Sequence, residues 1–296
     1  MTQSPPPPPR KPAWLKRRLP TGETFNQVRE LIEAGRLHTV CQEAKCPNIW
    51  ECYSHRTATF LIMGERCTRN CRFCSVAADP PGPLDPQEPA RVAEAVERMG
   101  LKYVVVTSVT RDDLPDGGAG HFAATIHEIR RRVPGAEIEV LIPDFQGDPA
   151  ALETVLRARP DVLNHNIETV PRLYSRVRPQ ADYRRSLELL RRAGEIAPGI
   201  PTKSGLMLGL GERPEEIRLT LQDLRAVGGR ILTLGQYLQP SPEHLPVEAY
   251  VPPDDFENWR TVALEMGFSE VASAPFVRSS YHAKEAFHAL GRKASS

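Results

Sequence analysis

The chain has 296 residues, a formal net charge of +1 and a hydrophobic fraction of 40%. These values are ordinary for a folded protein, so they exclude a fibrous chain or a wholly disordered one. The balance of charges gives no indication of a nucleic-acid partner. No apolar run reaches the roughly 18 residues of a membrane span, and the polar N-terminus lacks the apolar segment of a signal peptide. We therefore expect a cytoplasmic protein without a membrane partner, and an organellar location stays open if the source is eukaryotic.

The N-terminal part of the chain divides into two segments. Residues 1–20 are predicted to be a disordered, proline-rich and basic tail, because the run Pro5–Pro9 favours polyproline II and cannot build a core. In residues 21–57, Thr24 is placed to cap a short amphipathic helix. The rest of this second segment holds cysteines and little periodicity, so we expect its shape to depend on what its thiols bind.

From residue 58 to residue 270, β-branched apolar runs alternate with amphipathic helical patterns. The candidate strands are Ala58–Met63, Tyr103–Val109, Ile138–Ile142, Val162–Ile167, Lys203–Leu210 and Ile231–Tyr237. Six β-α units predict a parallel sheet covered on both faces, with ligands at the carboxyl ends of its strands. Periodicity alone does not choose between an open doubly wound sheet and a curled or closed barrel.

All the cysteines lie between positions 41 and 74, in two groups of three. A disulfide framework would spread them through a small secreted domain, whereas clustered thiols in a chain of this length are typical of metal ligands. The second group, Cys67-x3-Cys71-x2-Cys74, directly follows the first candidate strand. Three thiolates this close fit three corners of a cubane iron–sulfur cluster and leave one iron open for chemistry.

Zinc is the alternative for both groups of cysteines. It would require paired cysteines or a nearby histidine such as His55, which precedes the first strand. The first group, Cys41-x4-Cys46-x5-Cys52, is again incomplete, and no cysteine remains to complete it. Its fourth ligand would be an oxygen or nitrogen atom of the protein, a solvent molecule or a substrate.

The second cysteine loop, with Phe73 before its last cysteine, resembles the signature of the radical S-adenosylmethionine (SAM) enzymes. The two triads together with Arg278-Ser279-Ser280-Tyr281 resemble the lipoyl synthase family. Four further motifs support this similarity, which spans residues 20 to 285: Asp112–Gly118, Asn164–Thr169, Lys203–Glu212 and Gly235–Pro240.

The resemblance implies an α/β fold, a partial (βα)6 TIM-like barrel over residues 58–270. Extensions over residues 21–57 and 271–296 would hold an auxiliary cluster. It implies two [4Fe–4S] clusters and SAM as cofactors. The radical cluster would be bound by Cys67, Cys71 and Cys74, and the auxiliary cluster by Cys41, Cys46, Cys52 and Ser280. The implied reaction is sulfur insertion at C6 and C8 of a protein-bound octanoyl-lysine chain, with the auxiliary cluster as the sulfur donor.

The implied partners are octanoylated carrier domains of 2-oxoacid dehydrogenase E2 or glycine cleavage H proteins. A low-potential electron donor and cluster assembly or repair factors are expected as well. Another two-cluster radical SAM sulfurtransferase, such as a methylthiotransferase, is the alternative enzyme. A non-catalytic zinc-stabilised module is the alternative from another class, and metal analysis would distinguish it.

Candidate SAM contacts lie at the strand ends. Asn166 and Glu168 point the same way on an extended strand, where they would hydrogen-bond ribose hydroxyls. Arg178 or Lys203 would meet a carboxylate. His165 points to the other side of the strand, so we interpret it as a packing residue. Arg69 and Arg72 would either raise the potential of the cluster or lie in solvent.

Overall fold

The computed structural model describes residues 11–15, 23–55 and 57–294. The predicted tail therefore lies mostly outside the described residues, including its basic group Lys16, Arg17 and Arg18. Within it, Ala13–Leu15 forms a turn of 3-10 helix, and Leu15 is only 2% exposed. The prediction of a structureless tail consequently does not hold for these three residues.

The described residues form eleven α-helices and eight strands. The helices are α1 Glu23–Ala34, α2 Val40–Glu43, α3 Ile49–Ser54, α4 Glu88–Met99, α5 Ala119–Arg132, α6 Pro149–Arg157, α7 Tyr174–Val177, α8 Tyr183–Ile196, α9 Pro214–Ala226, α10 Pro253–Glu265 and α11 Ala283–Ala294. The strands are β1 His38–Thr39, β2 Thr59–Ile62, β3 Tyr103–Ser108, β4 Glu137–Leu141, β5 Val162–Asn164, β6 Thr202–Leu208, β7 Ile231–Gln236 and β8 Glu270–Ser273. All six predicted strands are confirmed within a few residues, whereas β1 and β8 were missed.

The strands form one sheet in the sequential order β1 to β8. Every neighbouring pair is parallel except β1 and β2, which are antiparallel. Among the described residues β8 does not pair with β1, so the sheet remains open along that seam. A doubly wound sheet would reverse its strand order partway along the chain, and this sheet does not. The fold is therefore the curled alternative, a partial TIM-like barrel.

Local sequence signals place the helices as expected. Gly100 ends α4 in the left-handed conformation at φ 65°, which costs glycine little. Asp148 and Asp182 cap α6 and α8 by accepting from the backbone N–H groups of Ala150 and Arg185, at 2.9 Å and 2.7 Å. These caps fix where each connection leaves the sheet, and thereby where the loops lie.

A buried polar group occupies one face of β3 to β6. The ammonium of Lys203 donates to both Glu139 carboxylate oxygens, at 2.8 Å and 3.0 Å, and Tyr103 Oη donates to the same carboxylate at 2.7 Å. Asn164 Nδ2 adds a bond of 3.1 Å. The Lys203 side chain is 1% exposed, so its charge is already matched inside the barrel.

The final helix, α11, lies against the opposite ends of the strands from the cysteine loop. Its Ala286 and Leu290 pack with Val162 and Ile231, the first residues of β5 and β7. Phe287 lies 6.0 Å, between ring centroids, from Tyr103, the first residue of β3. Helix α11 thus covers the amino-terminal ends of these strands and leaves the carboxyl ends for the site.

Candidate functional site

The second cysteine triad sits on the loop that follows β2. Main-chain bonds anchor this loop to three other parts of the fold: Cys67 N to Ala77 O, Thr68 N to Thr110 O and Arg72 N to Val177 O, at 2.8–3.1 Å. His244 Nε2 donates to Cys74 O at 2.9 Å. Cys67 Sγ accepts from the N–H groups of Arg69 and Thr110 at 3.4 Å and 3.2 Å. Such N–H donors stabilise thiolate and cluster sulfur.

The chemistry of these thiols fits a metal cluster. Burial raises the pKa of Cys71 to about 11 against the opposing charge of Arg178, and burial raises that of Cys74 to about 12. Cys67 also raises the pKa of Cys71, and Cys67 and Cys71 both raise that of Cys74. Without a metal, the thiols of Cys71 and Cys74 stay protonated at neutral pH, and a bound metal displaces their protons. The three residues therefore fit three ligands of a cubane cluster.

Arg69, between these cysteines, is buried rather than exposed. Its Nε and Nη2 donate to Asp112 Oδ2 and Asp144 Oδ1, both at 2.6 Å, and the side chain is 4% exposed. Burial alone would raise the pKa of Asp144, but the bonds and charge of Arg69 outweigh it and lower the pKa to about 2. The alternative that Arg69 lies in solvent is therefore wrong: its side chain ties the loop to the segments that follow β3 and β4. Arg72 is exposed.

Asn166, Glu168 and Arg178 come together next to Cys71. Asn166 Nδ2 donates to Glu168 Oε1 at 3.1 Å, and Arg178 Nη1 donates to Asn166 O at 2.9 Å. The charges of Arg178 and Glu168 both act on the pKa of Cys71. Asn166 Oδ1 is buried without a hydrogen-bond partner among the described residues. An orphaned buried acceptor beside the cysteine loop is the group expected to meet a donor on a ligand.

Lys203 and His165 do not join this group as candidate ligand contacts. The ammonium of Lys203 is paired with the buried Glu139 carboxylate and therefore does not face the site. His165 is 1% exposed, and its Nδ1 lies 2.9 Å from Ile142 O. Burial and the charge of Arg178 lower the pKa of His165 to about 4, so the ring is neutral. This placement agrees with its interpretation as a packing residue. Phe73 is half-buried against the main core.

The first cysteine triad lies on α2, α3 and the turn between them. Burial raises the pKa of Cys41 to about 12, and the thiols of Cys46 and Cys52 raise it further, so these sulfurs also lie close together. Main-chain bonds from Cys46 N to Cys41 O and from Cys52 N to Asn48 O hold the turn at 3.1 Å and 2.9 Å. His55, the zinc ligand considered above, is exposed and its Nδ1 lies 2.8 Å from Glu51 O. The triad thus combines the Cys41 thiol, which burial keeps protonated until a metal binds, with two cysteines whose charges act on it.

A C-terminal segment, residues 274–282, lies beside both triads. Asn48 Nδ2 donates to Phe276 O at 2.7 Å, and Tyr281 Oη donates to Glu51 Oε1 at 2.7 Å, which fastens the segment to α3. Asn166 Nδ2 donates to Ser279 Oγ at 2.6 Å. Half-buried Ser280 stands between these two anchors. Sequence reasoning singled out Ser280 but missed Ser279 and Tyr281, although all three belong to the same motif.

None of the helices in the described ranges is long and apolar enough to cross a lipid bilayer.

Two family models match the chain. The model of the radical SAM superfamily matches residues 61–224, and the model of the N-terminal domain of lipoyl synthase matches residues 5–46. Lipoyl synthase of Rubrobacter xylanophilus is 58% identical over 93% of this chain and 86% of its own length. The lipoyl synthase of Caldanaerobacter subterraneus is 57% identical over 93% of this chain and 96% of its own length.

Solved structures with low sequence identity share the fold. Methylornithine synthase superposes with a TM-score of 0.53 at 15% identity, over 87% of this chain and 84% of its own. Coproporphyrinogen III oxidase of Escherichia coli, a radical SAM enzyme, gives 0.51 at 16% identity, over 76% of this chain and 57% of its own. Together with the two triads and the identity to curated relatives, these matches show that the chain belongs to the lipoyl synthase family of radical SAM enzymes.

Proposed function

We propose that Cys67, Cys71 and Cys74 hold the radical cluster of this lipoyl synthase family member. As the family does, the chain uses two [4Fe–4S] clusters and SAM, and it inserts sulfur at C6 and C8 of a protein-bound octanoyl chain. The observation that carries the residue assignment is that two groups of three cysteines lie beside one C-terminal segment, which contacts Asn166 through Ser279 and α3 through Tyr281. A zinc module would not need that arrangement, and a methylthiotransferase would not match over nearly the whole chain.

The residues around the second triad would bind and orient SAM. When bound and reduced, the cluster supplies the electron that cleaves SAM, and the fragment released abstracts hydrogen from an unactivated C–H bond. Arg178 holds the carboxylate by charge, and Asn166 and Glu168 hold the ribose hydroxyls. Glu168 is half-buried, and desolvation raises its pKa against the opposing effects of Arg178 and the Asn166 amide.

Cys41, Cys46 and Cys52 would hold the auxiliary cluster with Ser280 as the fourth ligand. A serine oxygen is a harder and weaker partner for iron than a thiolate. A ligand that can be displaced suits a cluster whose sulfur is transferred to the substrate. The hydrogen bonds of Ser279 and Tyr281, on either side of Ser280, would hold Ser280 in place until it is displaced.

The regions and partners follow from these assignments. Residues 21–57 and 271–296 would form the extensions that hold the auxiliary cluster, and residues 58–270 the barrel. The substrates would be octanoylated carrier domains of 2-oxoacid dehydrogenase E2 or glycine cleavage H proteins. A low-potential electron donor and cluster assembly or repair factors would serve the enzyme in the cytoplasm.

Two alanine variants test whether the two triads have the different roles proposed for them. Anaerobically reconstituted Cys67→Ala should abolish SAM cleavage and keep about four irons per chain on the auxiliary site. Cys46→Ala should still cleave SAM to 5′-deoxyadenosine but transfer no sulfur to an octanoyl-lysine peptide, as followed by mass spectrometry. Cleavage by Cys67→Ala, or a sulfur-inserted product from Cys46→Ala, would contradict the assignment.

A further inference from the structure

Three consecutive residues of the C-terminal segment, Ser279 to Tyr281, lie between two different parts of the protein. Ser279 lies against Asn166 beside the second triad, and Tyr281 lies against Glu51 on α3 of the first triad. Ser280 is between them. The proposed SAM site and the proposed auxiliary site are therefore joined through three successive residues.

The Asn166 side chain has its orientation fixed by its two acceptors. Glu168 carries a carboxylate that can only accept, so the amide nitrogen, rather than the oxygen, faces it. The second N–H of the same amide donates to Ser279 Oγ at 2.6 Å. With both N–H groups used, Oδ1 is turned to the other side, where it is buried and has no partner among the described residues. Ser279 thus helps to aim the acceptor that we assign to the ribose.

The segment that carries Ser279 is itself held tightly to the barrel. A Cβ atom at Gly235 would collide with Val277 O, so the backbone of the segment approaches β7 as closely as glycine allows. Asn48 Nδ2 holds Phe276 O on the other side. Because this backbone is constrained, the Ser279 hydroxyl is an acceptor with a fixed position. A shift of the segment at Ser280 would therefore move this hydroxyl and, through their hydrogen bond, the Asn166 side chain.

We propose that Ser279 is a positioning residue that couples the two sites: its hydroxyl, bonded to the Asn166 amide, fixes the SAM contact relative to the auxiliary ligand Ser280. The proposal rests on the proposed function, because it uses the roles given there to Asn166 and Ser280. It goes beyond that function because it assigns to Ser279 the coupling of SAM cleavage to sulfur transfer. Neither cluster is ligated by Ser279 in this proposal.

The test compares Ser279→Ala with Ser279→Thr, which keeps the hydroxyl, and with Ser273→Ala as a matched control. Ser273 lies just before the same segment, and its hydroxyl donates to Phe256 O at 2.6 Å, outside the site. SAM affinity is measured by equilibrium dialysis on the reconstituted protein. The ratio of 5′-deoxyadenosine released to sulfur inserted is measured at saturating SAM with an octanoyl-lysine peptide. Iron content and the electron paramagnetic resonance spectrum of the reduced protein, with and without SAM, report on the clusters.

We expect Ser279→Ala to keep its iron and to bind SAM roughly three- to tenfold more weakly, the effect of one lost hydrogen bond. Its ratio of 5′-deoxyadenosine to inserted sulfur should rise by a similar factor, and Ser279→Thr should restore both values. Ser273→Ala should match the wild type. A Ser279→Ala protein with wild-type SAM affinity and ratio would overturn the proposal, as would equal losses in Ser273→Ala.

Ser280→Ala separates this proposal from the function on which it rests. If Ser280→Ala inserts no sulfur while Ser279→Ala behaves as the wild type, the proposed function stands and the coupling role of Ser279 is refuted. If both Ser280→Ala and Cys46→Ala insert sulfur normally, the auxiliary site itself is refuted, and the coupling role falls with it.

Discussion

Replacing Arg69 by methionine should destabilise the protein through Asp144 rather than through lost contacts alone. The Asp144 side chain is fully buried and lies 2.6 Å from Arg69 Nη2, with Arg185 Nη1 next at 3.3 Å. Its pKa of about 2 lies about two units below the ordinary value of 3.8, which corresponds to roughly 2.5 kcal/mol. The change also leaves a buried carboxylate with only the Gln146 N–H, at 3.1 Å, and the more distant Arg185 as partners, and breaking a buried pair in this way typically costs about 3–5 kcal/mol in total.

The stabilisation by Asp144 has a defined pH dependence. Because the folded pKa is below the unfolded one, the contribution is complete above about pH 4 and is lost as the pH falls towards 2. Unfolding experiments at pH 7.5 therefore measure it in full. In Arg69→Met, the lost partner should raise the pKa of Asp144, so part of the cost appears as protonation of that carboxyl.

The assay is thermal unfolding of the reconstituted protein under anaerobic conditions, with iron content measured alongside. At about 2–3 °C per kcal/mol for a domain of this size, Arg69→Met should lower the Tm by roughly 6–15 °C. The double variant Arg69→Met/Asp144→Asn should recover part of this loss, because no buried charge is left unpaired. Arg131→Gln removes an exposed arginine and should leave the Tm unchanged. A wild-type Tm for Arg69→Met, or a double variant less stable than the single one, would refute the reasoning.

Two further predictions concern a titrating group and a close backbone approach. His165 has a folded pKa of about 4, so its contribution is present above pH 6.5 and lost towards pH 4. Between pH 7.5 and 5.5 the wild type should lose roughly 1.3 kcal/mol more unfolding free energy than His165→Gln in urea titrations, and equal losses would contradict the buried neutral ring. Gly235→Ala should displace the segment at Val277, cost about 1–3 kcal/mol and reduce sulfur insertion more than SAM cleavage. Gly194→Ala, on α8 with open space around it, should do neither, and equal effects of the two changes would refute the packing argument.

Local patterns predicted the barrel well because each depends on neighbours in sequence. The strands that became β2 to β7 are buried on both faces and rich in apolar residues, and their helices carry caps such as Asp148 and Asp182. Strand β1 has two residues and β8 is only half-buried, so neither carries a strong periodic signal. Each of them forms a strand because it pairs with an edge of the sheet, β1 with β2 and β8 with β7.

Partner choice was less predictable for charged side chains. Lys203 and Arg69 both carry a charge in motifs of the site, and sequence alone allowed either to serve a ligand or a cluster. In the structure, Lys203 forms an ion pair with Glu139, and Arg69 forms ion pairs with Asp112 and Asp144. Burial decides these pairings, because a charge removed from water must be matched by the nearest opposite charge that the fold supplies.

By itself, the sequence determined the thiol spacing of both triads and the order of strands and helices, because ligand spacing and periodicity are short-range properties of the chain. Tertiary structure alone decided that the C-terminal segment lies beside both triads. Asn48 meets Phe276 across 228 positions, and Ser279 meets Asn166 across 113. No local pattern encodes such contacts, since they exist only once the curled sheet has brought the C-terminal segment next to α3 and to the end of β5.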